Sequence, residues 1–177
     1  MAIEVRPARP DEYAEAGRVT ADSYREFARP ESSWDEYLVR LADVADRVQR
    51  TLVLVAVEDD RILGTVTLEL EGRTEGGTGR NRENQPLAPG EAHVRMLGVV
   101  PEARGRGIGR MLMDACLAES RAAGKKLLTL NTTERMKTAQ AMYESMGFTR
   151  TDDEVFPDGF VLMAYEIPLD GRSGDPA

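Results

Sequence analysis

The chain has 177 residues, a formal net charge of −8 and a single cysteine, Cys116, which suits one domain of a protein in a reducing cytoplasm. Its acidic balance argues against non-specific binding to nucleic-acid phosphates, although it is compatible with a cationic small substrate. No apolar run approaches the ~20 residues that cross a bilayer, and the first residues lack a secretory h-region, so neither a membrane span nor a signal peptide is predicted.

The amino-terminal half predicts a strand, two helices and a strand hairpin. Pro10 is typical of a first helical turn, and Ser33 with Glu36 forms a capping box that opens the second helix. The predicted elements are a strand at 3–6, helices at 10–29 and 33–48, strands at 51–58 and 61–71, and a long Gly- and Pro-rich loop at 72–90.

The carboxy-terminal half predicts a β-branched strand, a glycine-rich turn and a long helix, followed by a strand, a helix and a strand pair. Pro101 ends the first of these strands, and Gly124 and Gly147 end the two helices. The predicted bounds are strand 94–100, helix 108–123, strand 126–130, helix 136–146, strands 148–155 and 160–167, and a flexible tail at 169–177.

The glycine-rich turn is the clearest functional signal in the chain. Glycines let backbone N–H groups approach a ligand closely, and the helix N-terminus and arginines add positive charge. The spacing matches neither a P-loop nor the Rossmann fingerprint. We interpret the turn as a site for an anion such as a pyrophosphate, the alternative being a solvated connection. The turn consists of Arg104, Gly105, Arg106, Gly107, Ile108, Gly109 and Arg110.

Three separated motifs carry a family resemblance. The first is Met-Leu-Gly-Val at 96–99, followed by Pro101 and the turn at 104–110. The second is the strand at 126–131, and the third is Ala-Gln-Ala-Met-Tyr-Glu-Ser-Met-Gly-Phe at 139–148. Together they resemble the GNAT superfamily of acetyl-CoA-dependent N-acetyltransferases, in the same order along the chain. The amino-terminal third matches that family only in layout.

The resemblance implies an α/β (α+β) GNAT fold. We expect a mixed, mostly antiparallel central sheet of six to seven strands flanked by about four helices, with a splayed central strand pair. Residues 1–168 are expected to form a single N-acetyltransferase domain, and residues 169–177 a flexible tail.

The resemblance also implies acetyl-CoA as cosubstrate and a small-molecule amine as acceptor. Alternatives are a non-catalytic acyl-CoA sensor and transfer to a protein or peptide. A homodimer is compatible with the predicted final strands, and neither a metal site nor nucleic-acid or membrane binding is expected. The residues expected to contact the coenzyme are Leu97, Gly98, Val99, Arg104, Gly105, Arg106, Gly107, Ile108, Gly109, Arg110, Asn131 and Tyr143.

By the same resemblance, Tyr143 is the expected general acid near the coenzyme sulfur. Candidate bases are His93, Glu91 two residues earlier on the same strand face, and Glu69, with an ordered water as the alternative. Cys116 lacks a basic neighbour, so we expect direct transfer without an acyl-enzyme. The aromatic residues that the resemblance places at the acceptor pocket, alternatively core residues, are Tyr24, Phe27, Trp34 and Tyr37, and Glu69 is also expected to contact the acceptor.

Overall fold

The computed structural model describes residues 2–28, 34–71 and 87–170. Eight strands form one sheet in the order β1-β2-β3-β4-β5-β8-β6, and β7 also pairs with β8. The strands are β1 (Glu4–Pro7), β2 (Leu52–Glu58), β3 (Arg61–Glu69), β4 (Glu91–Val99), β5 (Leu127–Thr133), β6 (Thr149–Arg150), β7 (Glu154–Val155) and β8 (Val161–Pro168). The helices are α1 (Tyr13–Tyr24), α2 (Trp34–Ala42), α3 (Val44–Arg47), α4 (Ile108–Ala122) and α5 (Lys137–Ser145).

The central strands β4 and β5 separate partway along their length. They pair in parallel only from Glu91–Leu127 to Val94–Leu130, whereas every other pairing is antiparallel. On its other side, β4 pairs with β3 through a register shift, and Met96 at that shift has a φ of 56°. This β-bulge bends β4, so the predicted splayed pair is present.

The two faces of the sheet differ in polarity because polar and apolar residues alternate along β3, β4 and β5. The hydroxyls of Thr65 and Thr20 lie 2.6 Å apart, which places the polar face under α1. A Cβ on Gly64 would meet Ile108 and Leu112, so the apolar face lies under α4. The polar face carries Thr65, Thr67, Glu69, Glu91, His93, Arg95, Thr129 and Asn131.

Two predicted elements are each divided in the structure, which accounts for the eight strands and five α-helices of the described residues. The second helix breaks at Asp43, whose side chain accepts a hydrogen bond from the Asp46 N–H and starts α3 as a new helix. The strand predicted at 148–155 forms only the short β6 and β7. No helix within the described ranges is long and apolar enough to cross a bilayer.

The predicted tail begins one residue too early. Leu169 is buried, and its N–H donates to the Lys126 carbonyl over 2.8 Å. Residues 171–177 of the predicted tail lie outside the described residues, as do Ser33 and residues 72–86 of the predicted loop at 72–90.

An ion pair fixes the start of α1 against β1. The guanidinium of Arg6 donates to both carboxylate oxygens of Glu12, over 2.7 and 2.8 Å. This hydrogen bonding lowers the Glu12 pKa to about 2, because it outweighs burial, which would raise the pKa. A carboxyl with a depressed pKa stabilises the fold above its unfolded-state pKa, and the contribution is lost as the pH falls toward 2.

Replacing Glu12 with glutamine is therefore expected to lower the free energy of unfolding by about 1 kcal/mol at neutral pH. Urea unfolding measured from pH 7 down to pH 3 is the test, and the gap between variant and parent should narrow with acidification. Glu15→Gln is the matched control, because Glu15 makes only an exposed 3.6 Å contact with Arg18. Equal losses in the two variants at pH 7 would contradict the assignment.

Candidate active site

The splay exposes one edge of β4 toward the diverging β5. Val100 donates its N–H to the Leu63 carbonyl over 2.9 Å, so this residue faces β3. Successive residues of a strand face opposite edges, and the backbone groups of Val99 therefore point toward the splay. The carbonyl of Val99 is 3.4 Å from Nε of Arg104, consistent with that direction. An extended ligand can pair with β4 at this position.

The glycine-rich turn presents backbone N–H groups at the start of α4. Gly107 is the N-cap, with φ 78°, and its carbonyl accepts from the Met111 N–H over 3.0 Å. The N–H groups of the first helical turn have no acceptor within the helix. A Cβ on Gly105 or Gly107 would contact nothing within 4 Å, so the space beside both is open. The turn therefore presents backbone N–H groups of the kind that bind anions at helix N-termini.

Two of the three arginines of the turn, Arg104 and Arg106, pair with carboxylates. Arg104 forms an ion pair with Glu26. Arg106 donates to both oxygens of Glu58, over 2.7 and 3.0 Å. This contact, with the charge of the guanidinium, lowers the Glu58 pKa. The charges of Arg104 and Arg106 are therefore partly offset, whereas Arg110 donates to the Ser145 hydroxyl, over 3.5 Å.

Tyr143 lies on α5 between two other aromatic rings. Its ring centroid is 5.8 Å from that of Phe148 and 6.1 Å from that of Tyr165. Burial raises the pKa of Tyr143 above its usual value, and Cys116 adds to the effect. Burial raises the pKa of Tyr24, and the nearby Tyr143 adds to that increase. Tyr143 is not among the residues that line the cavity at the splay.

The structure connects His93 and Glu91 through a residue that the sequence did not single out. Nδ1 of His93 lies 2.7 Å from the Thr129 hydroxyl. That hydroxyl donates to Oε1 of Glu91, also over 2.7 Å. Oε2 of Glu91 accepts from the Ala88 N–H over 2.9 Å. Two of the candidate bases therefore belong to one hydrogen-bonded line across β4 and β5.

A cavity of about 630 Å³ opens at the splay, on the side of α1 and α2. Tyr24, Phe27 and Trp34 line it. Tyr37 joins them, with its ring 5.3 Å from Trp34 and 6.4 Å from Tyr24. His93 also lines the cavity, so a base candidate and the aromatic wall share one space.

Asn131 lies in the wall of this cavity where β5 diverges from β4. Both polar atoms of its amide are buried and have no hydrogen-bond partner among the described residues. The buried indole N–H of Trp34 has no hydrogen-bond partner there either. Because such groups cost free energy when unpaired, they favour a ligand with its own donors and acceptors.

Glu69 lies beneath the cavity and does not line it. Its carboxylate is almost fully buried, and Oε1 is 3.4 Å from Nη1 of Arg95. Arg47 is also buried and donates to the carbonyls of Arg40 and Leu41 at the end of α2, over 2.9 and 3.1 Å. Burial, followed by the nearby Arg95 charge, lowers the Arg47 pKa to about 10.

A group of three or more histidine, cysteine or acidic side chains that could hold a metal does not occur in the described part of the chain. Thr129, which contacts His93, and Arg95 and Arg40, which line the cavity, are among the residues that the sequence did not indicate. The alternation of polar and apolar residues along β4 and β5 was the available signal for Thr129 and Arg95, since it places both on the face of His93.

Comparison with known proteins gives a consistent result. Residues 18–148 match the family model described as the acetyltransferase (GNAT) family. A mycothiol acetyltransferase of Geodermatophilus obscurus is 34% identical over 128 residues, which are 71% of this chain. The alignment spans 38% of that relative's own length, so the chain covers well under half of it.

Two solved structures share the fold. The yncA protein of Salmonella typhimurium, solved with acetyl-CoA, superimposes with a TM-score of 0.66 at 18% identity and covers 100% of this chain and 99% of its own. The PaiA N-acetyltransferase of Thermoplasma acidophilum, solved with coenzyme A, has a TM-score of 0.69 at 16% identity, covering 93% and 98%.

Proposed function

Since this chain belongs to the acetyltransferase (GNAT) family, we propose that it transfers an acetyl group from acetyl-CoA directly to a primary amine of a small molecule. One observation carries the proposal. The bulged, splayed edge of β4 lies between the glycine turn of α4 and a cavity that contains His93. The glycine-rich turn suits a diphosphate, the edge of β4 suits an extended arm, and the cavity suits an acceptor.

The residues at the splay fit the coenzyme. The N–H groups that follow Gly107 would hold the diphosphate, and the outward edge of Val99 would pair with the pantetheine amides. The unpaired amide of Asn131 offers a further donor and acceptor for the same arm or for the acceptor. When bound, acetyl-CoA supplies the acetyl group as an activated thioester.

The side chains of the chain itself supply the proton transfers. An alkylammonium has a pKa near ~10.4, so it must lose a proton before its nitrogen can attack. We assign this step to His93, which lines the cavity, with Glu91 behind it. The C–N bond forms as the C–S bond breaks, the Tyr143 hydroxyl donates its proton to the departing sulfur, and the second proton released by the attacking nitrogen restores the phenol.

Direct transfer is favoured over an acyl-enzyme because the cysteine cannot serve as a nucleophile. Cys116 is fully buried on α4, and burial raises the pKa of its thiol to about 12, with Glu119 adding to the shift. A thiol of this kind stays protonated at neutral pH and has no access to substrate.

Release of free thiol from acetyl-CoA, screened over amino acids, polyamines, amino sugars and short peptides, tests the proposal. We expect turnover with a small amine. Coenzyme binding without turnover across the panel would instead indicate an acyl-CoA sensor, and turnover with peptides alone a protein acetyltransferase. A homodimer and a cytoplasmic location stay predictions from the sequence.

Replacing Gly107 with valine is expected to weaken the affinity for coenzyme A about tenfold or more. A β-branched residue at φ 78° adds backbone strain of about 1–3 kcal/mol. The backbone relieves this strain by changing its dihedral angles, which moves the N–H groups that follow Gly107 away from their positions at the helix N-terminus. Isothermal titration calorimetry with coenzyme A gives the measurement. Gly124→Val is the matched control, because Gly124 has φ 72° and open space at the opposite end of α4. Equal weakening in both variants would show a global effect of strain.

A further inference from the structure

We propose that Thr129 is a positioning residue for the reaction, because its hydroxyl, held by Glu91, fixes the imidazole of His93 with its proton on Nδ1 and its basic nitrogen at Nε2. The inference rests on the proposed acetyl transfer with His93 as base. It also assigns Glu91 a role as the support of the base, in place of a role as an alternative base.

The direction of the hydrogen bonds follows from counting protons. The Thr129 hydroxyl has one hydrogen, and an ionised carboxylate can only accept. The 2.7 Å contact between Thr129 and Glu91 therefore uses that hydrogen. The equally short contact between Thr129 and His93 must then use a hydrogen on Nδ1. A neutral imidazole carries only one N–H, so Nε2 is its acceptor nitrogen.

The backbone holds this line in place. His93 and Thr129 are direct partners in the parallel pairing of β4 with β5. Their side chains are 5% and 4% exposed, which leaves little freedom for either to rotate. The Ala88 N–H holds the second carboxylate oxygen of Glu91 at the start of β4. The three groups are thus fixed from two strands and a turn.

The arrangement has a chemical consequence for proton removal. In water, a neutral imidazole of this kind prefers the tautomer with its proton on Nε2, which would leave no base at that nitrogen. The Thr129 hydroxyl reverses the preference, and once Nε2 takes a proton, the Glu91 charge supports the imidazolium through Thr129. Among the described residues, the other charged groups around His93 include Glu69 on β3, Arg95 on β4, Glu166 on β8, and Glu134 and Arg135 beyond β5.

The sequence makes the test unusually direct, since His93 is the only histidine. Long-range proton–nitrogen NMR spectra of the ¹⁵N-labelled protein, recorded where the ring is neutral, report which nitrogen carries the proton. We expect Nδ1–H in the parent and in Thr129→Ser, which keeps the hydroxyl. In Thr129→Val, which has nearly the same volume, we expect the Nε2–H form to dominate. A parent ring protonated at Nε2 would overturn the inference.

Kinetics with an acceptor found in the thiol-release screen provide the second measurement. We expect kcat/KM to fall about tenfold in Thr129→Val, because the competent tautomer becomes a minor species, and to recover in Thr129→Ser. An unchanged tautomer in Thr129→Val would overturn the inference, whatever its activity. The spectra need no turnover, so an inactive parent with the expected Nδ1–H tautomer would reject the proposed transfer and leave the hydrogen-bonding assignment standing.

Discussion

Tyr143→Phe is expected to lower kcat about 100-fold or more while coenzyme affinity changes less than about threefold. The substitution removes only the hydroxyl, and the ring keeps its contacts with Phe148 and Tyr165. Because burial raises the Tyr143 pKa, the phenol keeps its proton throughout the physiological range. It therefore acts by donating a hydrogen bond to the departing sulfur, and it contributes no alkaline limb to the pH profile below about pH 10.

The matched control is Tyr165→Phe. Tyr165 is another buried tyrosine in the same aromatic group, but its hydroxyl donates to Glu144 over 2.9 Å. Removing that hydroxyl should change stability and leave kcat nearly unaltered. If both variants kept kcat within a factor of about three, Tyr143 would be a packing residue and the acid would have to be sought elsewhere.

His93→Asn is expected to lower kcat/KM about 100-fold. Asparagine places an amide nitrogen near the position of Nδ1, so it can keep the hydrogen bond to Thr129 while removing the base. A base works in its unprotonated form, so kcat/KM of the parent should rise with pH through the imidazole titration. In His93→Asn, kcat/KM should not show this rise with pH. Steady-state rates from pH 5 to pH 9 provide the comparison.

Glu69→Gln serves as the control for this prediction. Glu69 is the register partner of His93 on β3, yet it lies outside the cavity wall and contacts Arg95. Glu69→Gln should show the same rise of kcat/KM with pH as the parent. An acidic limb that persists in His93→Asn, with less than a threefold loss, would favour an ordered water as the route for the proton.

The sequence was sufficient for the order of elements because local signals determine it. Pro101 ends the strand, and Gly107 begins the helix as its αL N-cap. The break at Asp43 was harder to predict, since the same aspartate is compatible with a continuous helix until its side chain is seen to cap Asp46. The division of 148–155 into β6 and β7 likewise depends on pairing with β8, a tertiary contact.

The candidate site was predicted in part. His93 and Glu91 share a strand face by parity alone, whereas an aromatic lining of the acceptor pocket was expected only from the family resemblance, with a core role as the alternative. Thr129 could not be assigned, because its contact with His93 requires the register of two strands far apart in the chain. The pairing of Arg106 with Glu58 was equally inaccessible, since the two residues are 48 positions apart.

The bulge at Met96 restricts how this region can change during evolution. Gly98 is held under α1, where a Cβ would lie 2.7 Å from the Ser23 Cβ, and His93 lies on the same face on the other side of the bulge. Deleting one residue between them would leave four positions, so a regular strand would still keep His93 and Gly98 on one face but would lose the bulge that bends β4. A single deletion at this point should therefore preserve the side-chain faces and alter the splay, whereas a single deletion elsewhere in β4 would exchange the two faces.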